Sequence, residues 1–460
     1  MGKMVIHKRF LACLSIAVIN IALAAPNAFA NSWTEETVDS DLFVGWNSSL
    51  ALDASGNAHI SYYDKTQGDL KYAANVSGSW ATTVVDRTGN VGKHTSLALD
   101  TLGNIYISYY DETNGDLKYA TNGSGAWITT TVDESGDVGY DTSIALDTSG
   151  NAHISYYDVT NGDLKYATNG SGAWITTTID NSGVVGWNTS LSLDTSGNVH
   201  ISYYDVTNGD LKYATNGSGS WIATTVDSNG DVGGNTSIKI GTSGGAYISY
   251  YDVTNGDLKY ATNVSDSWIA ATVDSDGDVG YYTSIALDTS NNAHISYYDA
   301  TNGSLKYATN VSGAWVAATV DSDGDVGLYT SLALDASGNA HISYFDNTNG
   351  DLKYAVSAAQ SAECDPASIA VSTSKLTIKS KESGDVTVTV KGKSGCLAEG
   401  VTVKAKLDKA SGKKVSVSPE EGTADADGMV AFTFTGVKKG NAKVSFIADG
   451  LTKKITVKVK

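Results

Sequence analysis

The residues best placed to do chemistry are the ones that change between otherwise repeated surroundings. Seven times, at intervals of 47 residues, a Val-Gly pair is followed by two residues that differ from copy to copy: Trp46-Asn47, Lys93-His94, Tyr140-Asp141, Trp187-Asn188, Gly234-Asn235, Tyr281-Tyr282 and Leu328-Tyr329. Aromatic faces stack on the apolar surfaces of sugars, and a few polar groups fix orientation, so a ring of such pairs reads as a ligand site. Its expected members are Trp46, Asn47, Lys93, His94, Tyr140, Asp141, Trp187, Asn188, Tyr281, Tyr282 and Tyr329. The competing account is that loop residues drift where nothing constrains them.

The segments just before these pairs are acidic, as in Asp133-Glu134-Ser135-Gly136-Asp137 and Asp227-Ser228-Asn229-Gly230-Asp231. In two copies, Asp274, Asp276 and Asp278, and Asp321, Asp323 and Asp325, carboxylates alternate beside a glycine. Alternating oxygens can wrap a hard cation, and calcium is the cofactor such loops would take. Against this, Gly277 and Gly324 come too early for an EF-hand loop and no glutamate follows at the required distance. Solvated turn aspartates are the plainer reading. His59, His153, His200, His294 and His341 recur singly at one position, which suits a packed, hydrogen-bonded histidine better than a shared metal site. The series from Asp64 to Asp346 faces recurring lysines seven residues later, a pattern of structural hairpin charge pairs.

These positions are set by a repeat. Ser-Tyr-Tyr-Asp begins at Ser61, Ser108, Ser155, Ser202, Ser249 and Ser296 and returns as Ser-Tyr-Phe-Asp at Ser343. Trp33, Trp80, Trp127, Trp174, Trp221, Trp268 and Trp315 keep the same step. Each unit reads as four short strands, in the third copy Thr142–Asp147, Ala152–Asp158, Asp163–Thr168 and Trp174–Asp180, rich in Ile, Val, Thr, Tyr and Trp. Between them lie Thr-Ser-Gly-Asn, Thr-Asn-Gly and Asn-Gly-Ser-Gly, residues that tolerate tight turns. Four strands per repeat of this size predict the blade of a β-propeller. The recurring Trp, Tyr and Leu positions are expected to pack between blades.

The ends of the array complement each other. Trp33–Asp39 matches a fourth strand without the first three, and the last unit stops at Tyr354-Ala355 without a fourth. The expected fold is therefore all-β, a seven-bladed β-propeller closed by the N-terminal strand over residues 31–358, in preference to an open solenoid or a parallel β-helix. Residues 1–30 carry a basic start, an apolar run containing Cys13 and a terminal Ala28-Phe29-Ala30, which reads as a secretory signal peptide rather than a retained membrane anchor. A secreted, cell-surface or periplasmic location follows. Export also makes a Cys364–Cys396 disulfide the expected pairing.

The formal charge of −19 conceals an asymmetry. Residues 31–360 hold 11 Lys+Arg against 39 Asp+Glu, while residues 361–460 hold 17 against 11. An acidic body lacks the basic footprint that nucleic acid or anionic lipid needs, so neither is expected as a partner, and no membrane insertion is expected after signal cleavage. A carbohydrate or a cell-surface protein fits better, bound by a monomer.

From residue 359 the chain turns to alternating Val, Thr and Lys, as in Val386–Val390 and Val430–Phe434, a pattern that suits an immunoglobulin-like β-sandwich. The stretches Thr423–Gly436 and Gly440–Phe446 resemble bacterial Ig-like domains of the invasin and intimin type, over residues 366–460. That resemblance implies a spacer or adhesive module at a cell surface.

An enzyme is the less favoured class. Sialidases hold the substrate carboxylate with an arginine cluster, whereas the chain beyond residue 30 has the single arginine Arg87, and turns such as Asn122–Trp127 lack the aspartate of an Asp-box. Near-identical blades favour equivalent weak sites or a scaffold over one active site. The expected function is an exported, non-enzymatic carbohydrate- or surface-binding protein. A structural or protein-interaction scaffold is the alternative, and a glycan-active hydrolase or lyase comes third.

Overall fold

The computed structural model describes residues 33–265, 267–357, 366–392, 398, 400–425 and 428–460. The expected signal peptide, with Cys13, and both Cys364 and Cys396 lie outside the described residues. The described chain consists of strands and turns, and it divides into two compact units between Val356 and Ser357.

The larger unit is a β-propeller of seven four-stranded sheets. Sheet one is a simple meander of Val44–Leu52, Ala58–Asp64, Asp69–Ala74 and Ala81–Asp86, and sheets two to six repeat it through Asp321. Sheet seven takes Val326–Leu334, Ala340–Asp346 and Asp351–Ser357 and completes itself with Trp33–Asp39. The circular complementarity of the two ends is thus physical. Its consequence is that sheets seven and one are neighbours like any other pair.

Burial peaks in the second strands and is least in the fourth. First strands of adjacent sheets pack on one another, Ala58–Asp64 is buried along its whole length, and fourth strands such as Ile128–Asp133 are mostly exposed. Hydroxyls stitch each boundary. Thr95, Thr142, Thr189, Thr236, Thr283 and Thr330 bond Ser61, Ser108, Ser155, Ser202, Ser249 and Ser296 of the preceding sheet, and Ser48 bonds Ser343, all at 2.7–2.9 Å. These serines are the first residues of the Ser-Tyr-Tyr-Asp motif, fully buried and satisfied, which is why a hydroxyl stands there in every copy.

The seven periodic tryptophans each meet a tyrosine of the preceding sheet edge to face, with centroids 5.1–5.5 Å apart, as in Trp80 on Tyr354 and Trp127 on Tyr72. Such a pair adds about 0.5–1.5 kcal/mol beyond its buried area. The recurring lysines behave differently from the hairpin pairing expected above. Lys118 lies 3.8 Å from Asp111 across the hairpin but 2.6 Å from Asp86, the last residue of the preceding sheet, which also accepts the Tyr109 hydroxyl at 2.7 Å. All seven boundaries, including Lys71 on Asp39, carry this Asp–Lys–Tyr set. Burial would raise the Asp86 carboxyl, but hydrogen bonds from Lys118, Thr88 and Tyr109 outweigh it and hold the group at about 2.

The smaller unit has a four-stranded sheet (Pro366–Val371, Ser383–Gly392, Met429–Gly436, Val415–Ser418) and a five-stranded one (Lys375–Ile378, Leu451–Val459, Gly440–Ala448, Thr402–Leu407, Glu421–Thr423). Strict alternation, as in Met429–Gly436, sends one face of each into a shared core around Phe432, Phe434 and Phe446.

Candidate functional site

The variable pairs sit on a bulge that the preceding glycine makes obligatory. Gly45, Gly92, Gly139, Gly186, Gly233, Gly280 and Gly327 have φ between 101° and 111°, and a Cβ at any of them would come within 2.7–2.9 Å of the Cα of a leucine in the third strand of the preceding sheet. Only glycine permits both the conformation and the approach. Two residues on, the chain enters the left-handed region again: Asn47, His94, Asp141, Asn188, Asn235, Tyr282 and Tyr329 all have φ of 48–53°. The register slips on both sides of the intervening residue, as at Val44/Trp46 and Trp46/Ser49. Such bulges re-aim side chains.

The two residues of each pair therefore diverge. The second of each pair lines a single cavity of about 190 Å³, floored by Ser48, Thr95, Thr142, Thr189, Thr236, Thr283 and Thr330. Of the eleven expected site residues, Asn47, His94, Asp141, Asn188, Tyr282 and Tyr329 meet there, joined by Asn235. Trp46, Lys93, Tyr140, Trp187 and Tyr281 do not line it. They pack instead against second-strand aromatics, as Tyr140 does on Tyr110 (4.3 Å), Tyr281 on Tyr251 (4.1 Å) and Trp187 on Tyr157 (5.8 Å). The floor hydroxyls were not singled out from sequence, although their invariance in all seven copies was the available signal.

The cavity wall has two chemically different arcs. On one, side chains are chained through backbone and side-chain bonds. Asn47 Oδ1 accepts from the His94 amide (3.2 Å), Asp141 Oδ1 meets His94 Nδ1 (2.9 Å), Asp141 Oδ2 accepts from the Asn188 amide (2.8 Å), and Asn188 Oδ1 accepts from the Asn235 amide (2.9 Å). Burial acts to raise the Asp141 carboxyl, but His94 and Asn188 prevail and hold it below its usual range. On the other arc Tyr282 and Tyr329 lie 4.5 Å apart, and Trp46 leans on Tyr329 at 5.4 Å. Asn, Asp and His accept left-handed φ readily, whereas a bulky tyrosine pays about 1–2 kcal/mol for it. Strain of this kind, held by its surroundings, gathers at functional sites.

The aspartates expected to bind calcium do not converge. Asp274 is engaged by Lys306 (2.5 Å) and Tyr297 (2.6 Å), and Asp321 by Lys353 and by Tyr344 (2.7 Å). Asp278 accepts from Tyr251 and Asp325 from Tyr298, while Asp276 and Asp323 stay exposed in the turn. Among the described residues no group of three His, Cys, Asp or Glu is placed to hold a metal ion. The spacing that suggested ligands instead serves the sheet boundaries. The five periodic histidines are packed side chains: His59 Nδ1 meets the Tyr72 hydroxyl at 2.5 Å and its Nε2 lies 3.6 Å from Asp53, and burial pushes the imidazole below its usual value despite that carboxylate.

No protein-family model matches the chain, and no curated protein matches it. Among solved structures, hydrazine synthase of Kuenenia stuttgartiensis aligns with a TM-score of 0.51 at 10% identity, covering 70% of this chain and 98% of that one. A Dyadobacter fermentans protein of unknown function aligns at 0.44 and the Dos1 propeller at 0.43, each at 10% identity, covering 70% and 67% of this chain and 97% and 76% of theirs. The likeness extends to fold alone.

Proposed function

We propose that this protein is an exported, non-enzymatic binding protein whose seven-bladed propeller recognises a carbohydrate at the central cavity. The observation that carries the reading is the wall itself. Seven left-handed positions converge on one mouth and hold three amides, a paired imidazole and carboxylate, and two phenols in tilted contact, over a floor of hydroxyls. Amides and hydroxyls match the donors and acceptors of a polyol, and the tyrosines offer a stacking face.

The C-terminal unit, read as a bacterial Ig-like domain, then serves as a spacer that presents the propeller outside the cell. The signal peptide, the disulfide and release or retention at the surface belong to the same proposal. A protein-interaction scaffold is the second reading, favoured by the exposed Leu42 and Phe43 on a loop of the propeller. A glycan array probed with the purified protein and with Tyr329→Asn separates the two. Signals on particular glycans that the variant loses support the carbohydrate site. A blank array from folded protein removes it and leaves the scaffold.

A further inference from the structure

Six of the seven first strands carry a small residue at one shared position: Ala51, Ala98, Ala145, Ser192, Ala286 and Ala333. Sheet five has Lys239 there. It comes three residues after Thr236 of the cavity floor, about 10 Å further along Val232–Ile240 and away from the mouth. First strands of neighbouring sheets pack on one another and all seven line the mouth, so they wall a central channel that this position borders. An alanine there tucks against the next sheet, as Ala51 does on the core of sheet two. The lysine is longer, and its side chain is exposed. An ammonium on an open outer surface keeps its ordinary value, but the protein around Lys239 pushes it lower by desolvation. Exposure and desolvation coexist for a group standing in water that strands enclose.

The same sheet has lost the acid closest to that position along the chain. Two residues on, the six sister sheets place Asp53, Asp100, Asp147, Asp194, Asp288 and Asp335, whereas sheet five has Gly241. The asparagine that such an aspartate holds, as Asp53 holds Asn57 at 2.8 Å, is replaced by Gly245. Tyr247, the register partner of Lys239, fills the vacated place, since a Cβ on Gly241 would come within 2.7 Å of its ring. The tyrosine does not itself demand the glycine: Tyr106 in sheet two keeps its aspartate and bonds Asp100 at 3.1 Å. The acid is thus missing only where the lysine stands. Among the described residues no carboxylate draws the Lys239 ammonium back up, whereas each of the seven recurring lysines is paired with an aspartate.

We infer that Lys239 is a second binding site, at the end of the channel away from the mouth, and that it takes a small carboxylate. One ammonium neutralises one negative charge, and the other six ring positions, five alanines and a serine, offer no second cation. A dianion such as sulfate would bring an unpaired charge into the channel, which is costly where water is partly excluded. The acidic body of the propeller, 39 Asp+Glu against 11 Lys+Arg, disfavours larger polyanions further. The site is separate from the central cavity and stands whether or not that cavity binds a carbohydrate.

The test is lysine acetylation of the folded protein by an N-hydroxysuccinimide ester, followed peptide by peptide in a mass spectrometer, with propionate, glucuronate or sulfate added at matched ionic strength. A bound carboxylate favours the charged, unreactive ammonium, so saturating propionate is expected to slow labelling of Lys239 by at least about fivefold and to leave the other lysines unchanged. Sulfate is expected to protect at least about tenfold more weakly. Glucuronate separates two sources of the same group: protection stronger than that of propionate assigns the site to an acidic sugar, and weaker protection assigns it to a small free acid. Melting curves supply the second measurement. Lys239→Ala installs the residue of five sister sheets and keeps a ring that folds, and propionate is expected to raise the melting temperature of the wild type alone. No protection by either carboxylate, equal protection by sulfate, or equal stabilisation of Lys239→Ala overturns the inference.

Discussion

Two zones of one propeller follow opposite rules. At the sheet boundaries the Asp–Lys–Tyr set, the Thr–Ser bond and the Trp–Tyr pair recur in every copy, because each sheet meets the same neighbour and must satisfy the same buried groups. At the mouth the backbone is just as regular, with glycine and left-handed residue in fixed order, yet four residue types occupy seven equivalent positions. Where packing dictates the side chain, repeats stay alike. Where only the backbone is dictated, the side chain is free to serve a ligand.

That contrast can be broken most forcefully in the invariant zone. Lys165→Met leaves Asp133 buried without its cation, so urea unfolding is expected to show a loss of about 3–5 kcal/mol with no change in the residues of the mouth. A loss under 1 kcal/mol would mean that these sets are not what holds the ring. Acid sharpens the comparison at the next level. Burial lowers the imidazoles of His59, His153, His200, His294 and His341, so the unfolded chain binds protons near pH 6.5 that the folded chain refuses. Their contribution is complete above that pH and is lost as pH falls through it. Asp86, Asp133 and Asp180, held at about 2, add a second loss only below about pH 4. Thermal melts between pH 8 and pH 3 are expected to show the two stages, and a single transition near pH 4 would refute the histidine term.

The smallest stability effects belong to the variable zone. Leu42→Gly relieves a left-handed leucine and restores the residue of the sister loops, so a gain of up to about 1 kcal/mol is expected, reduced by the entropy glycine adds to the unfolded chain. Asn188→Gly keeps the left-handed backbone at no steric cost but gives up the bonds to the Asn235 amide and to Asp141, so urea unfolding is expected to show a loss of no more than about 1 kcal/mol.

Much of the architecture was legible because strand period, turn chemistry and the split seventh unit are written in residue types. The exposed side of the propeller was less so. Nothing in Trp187-Asn188 announces that the first residue packs edge-on against Tyr157 and the second turns into the cavity, since the divergence comes from a bulge imposed by Gly186 against Leu164. The lysines were assigned to hairpin aspartates for the same reason: a contact such as Lys165 with Asp133 joins two sheets, and spacing within one repeat is silent about it. The change from Ser-Tyr-Tyr-Asp to Ser-Tyr-Phe-Asp at Phe345 was visible, but its partner Trp46 is about three hundred residues away and only ring closure brings them together.

The central claim is that the left-handed ring binds a ligand and does little for the fold. It is tested most directly by titrating Asn188→Gly with the saccharide that binds the wild-type protein, alongside the urea midpoint of each. The account predicts at least about a tenfold loss of affinity, roughly one lost polar contact, with a stability loss of no more than about 1 kcal/mol. Full affinity in the folded variant would contradict it.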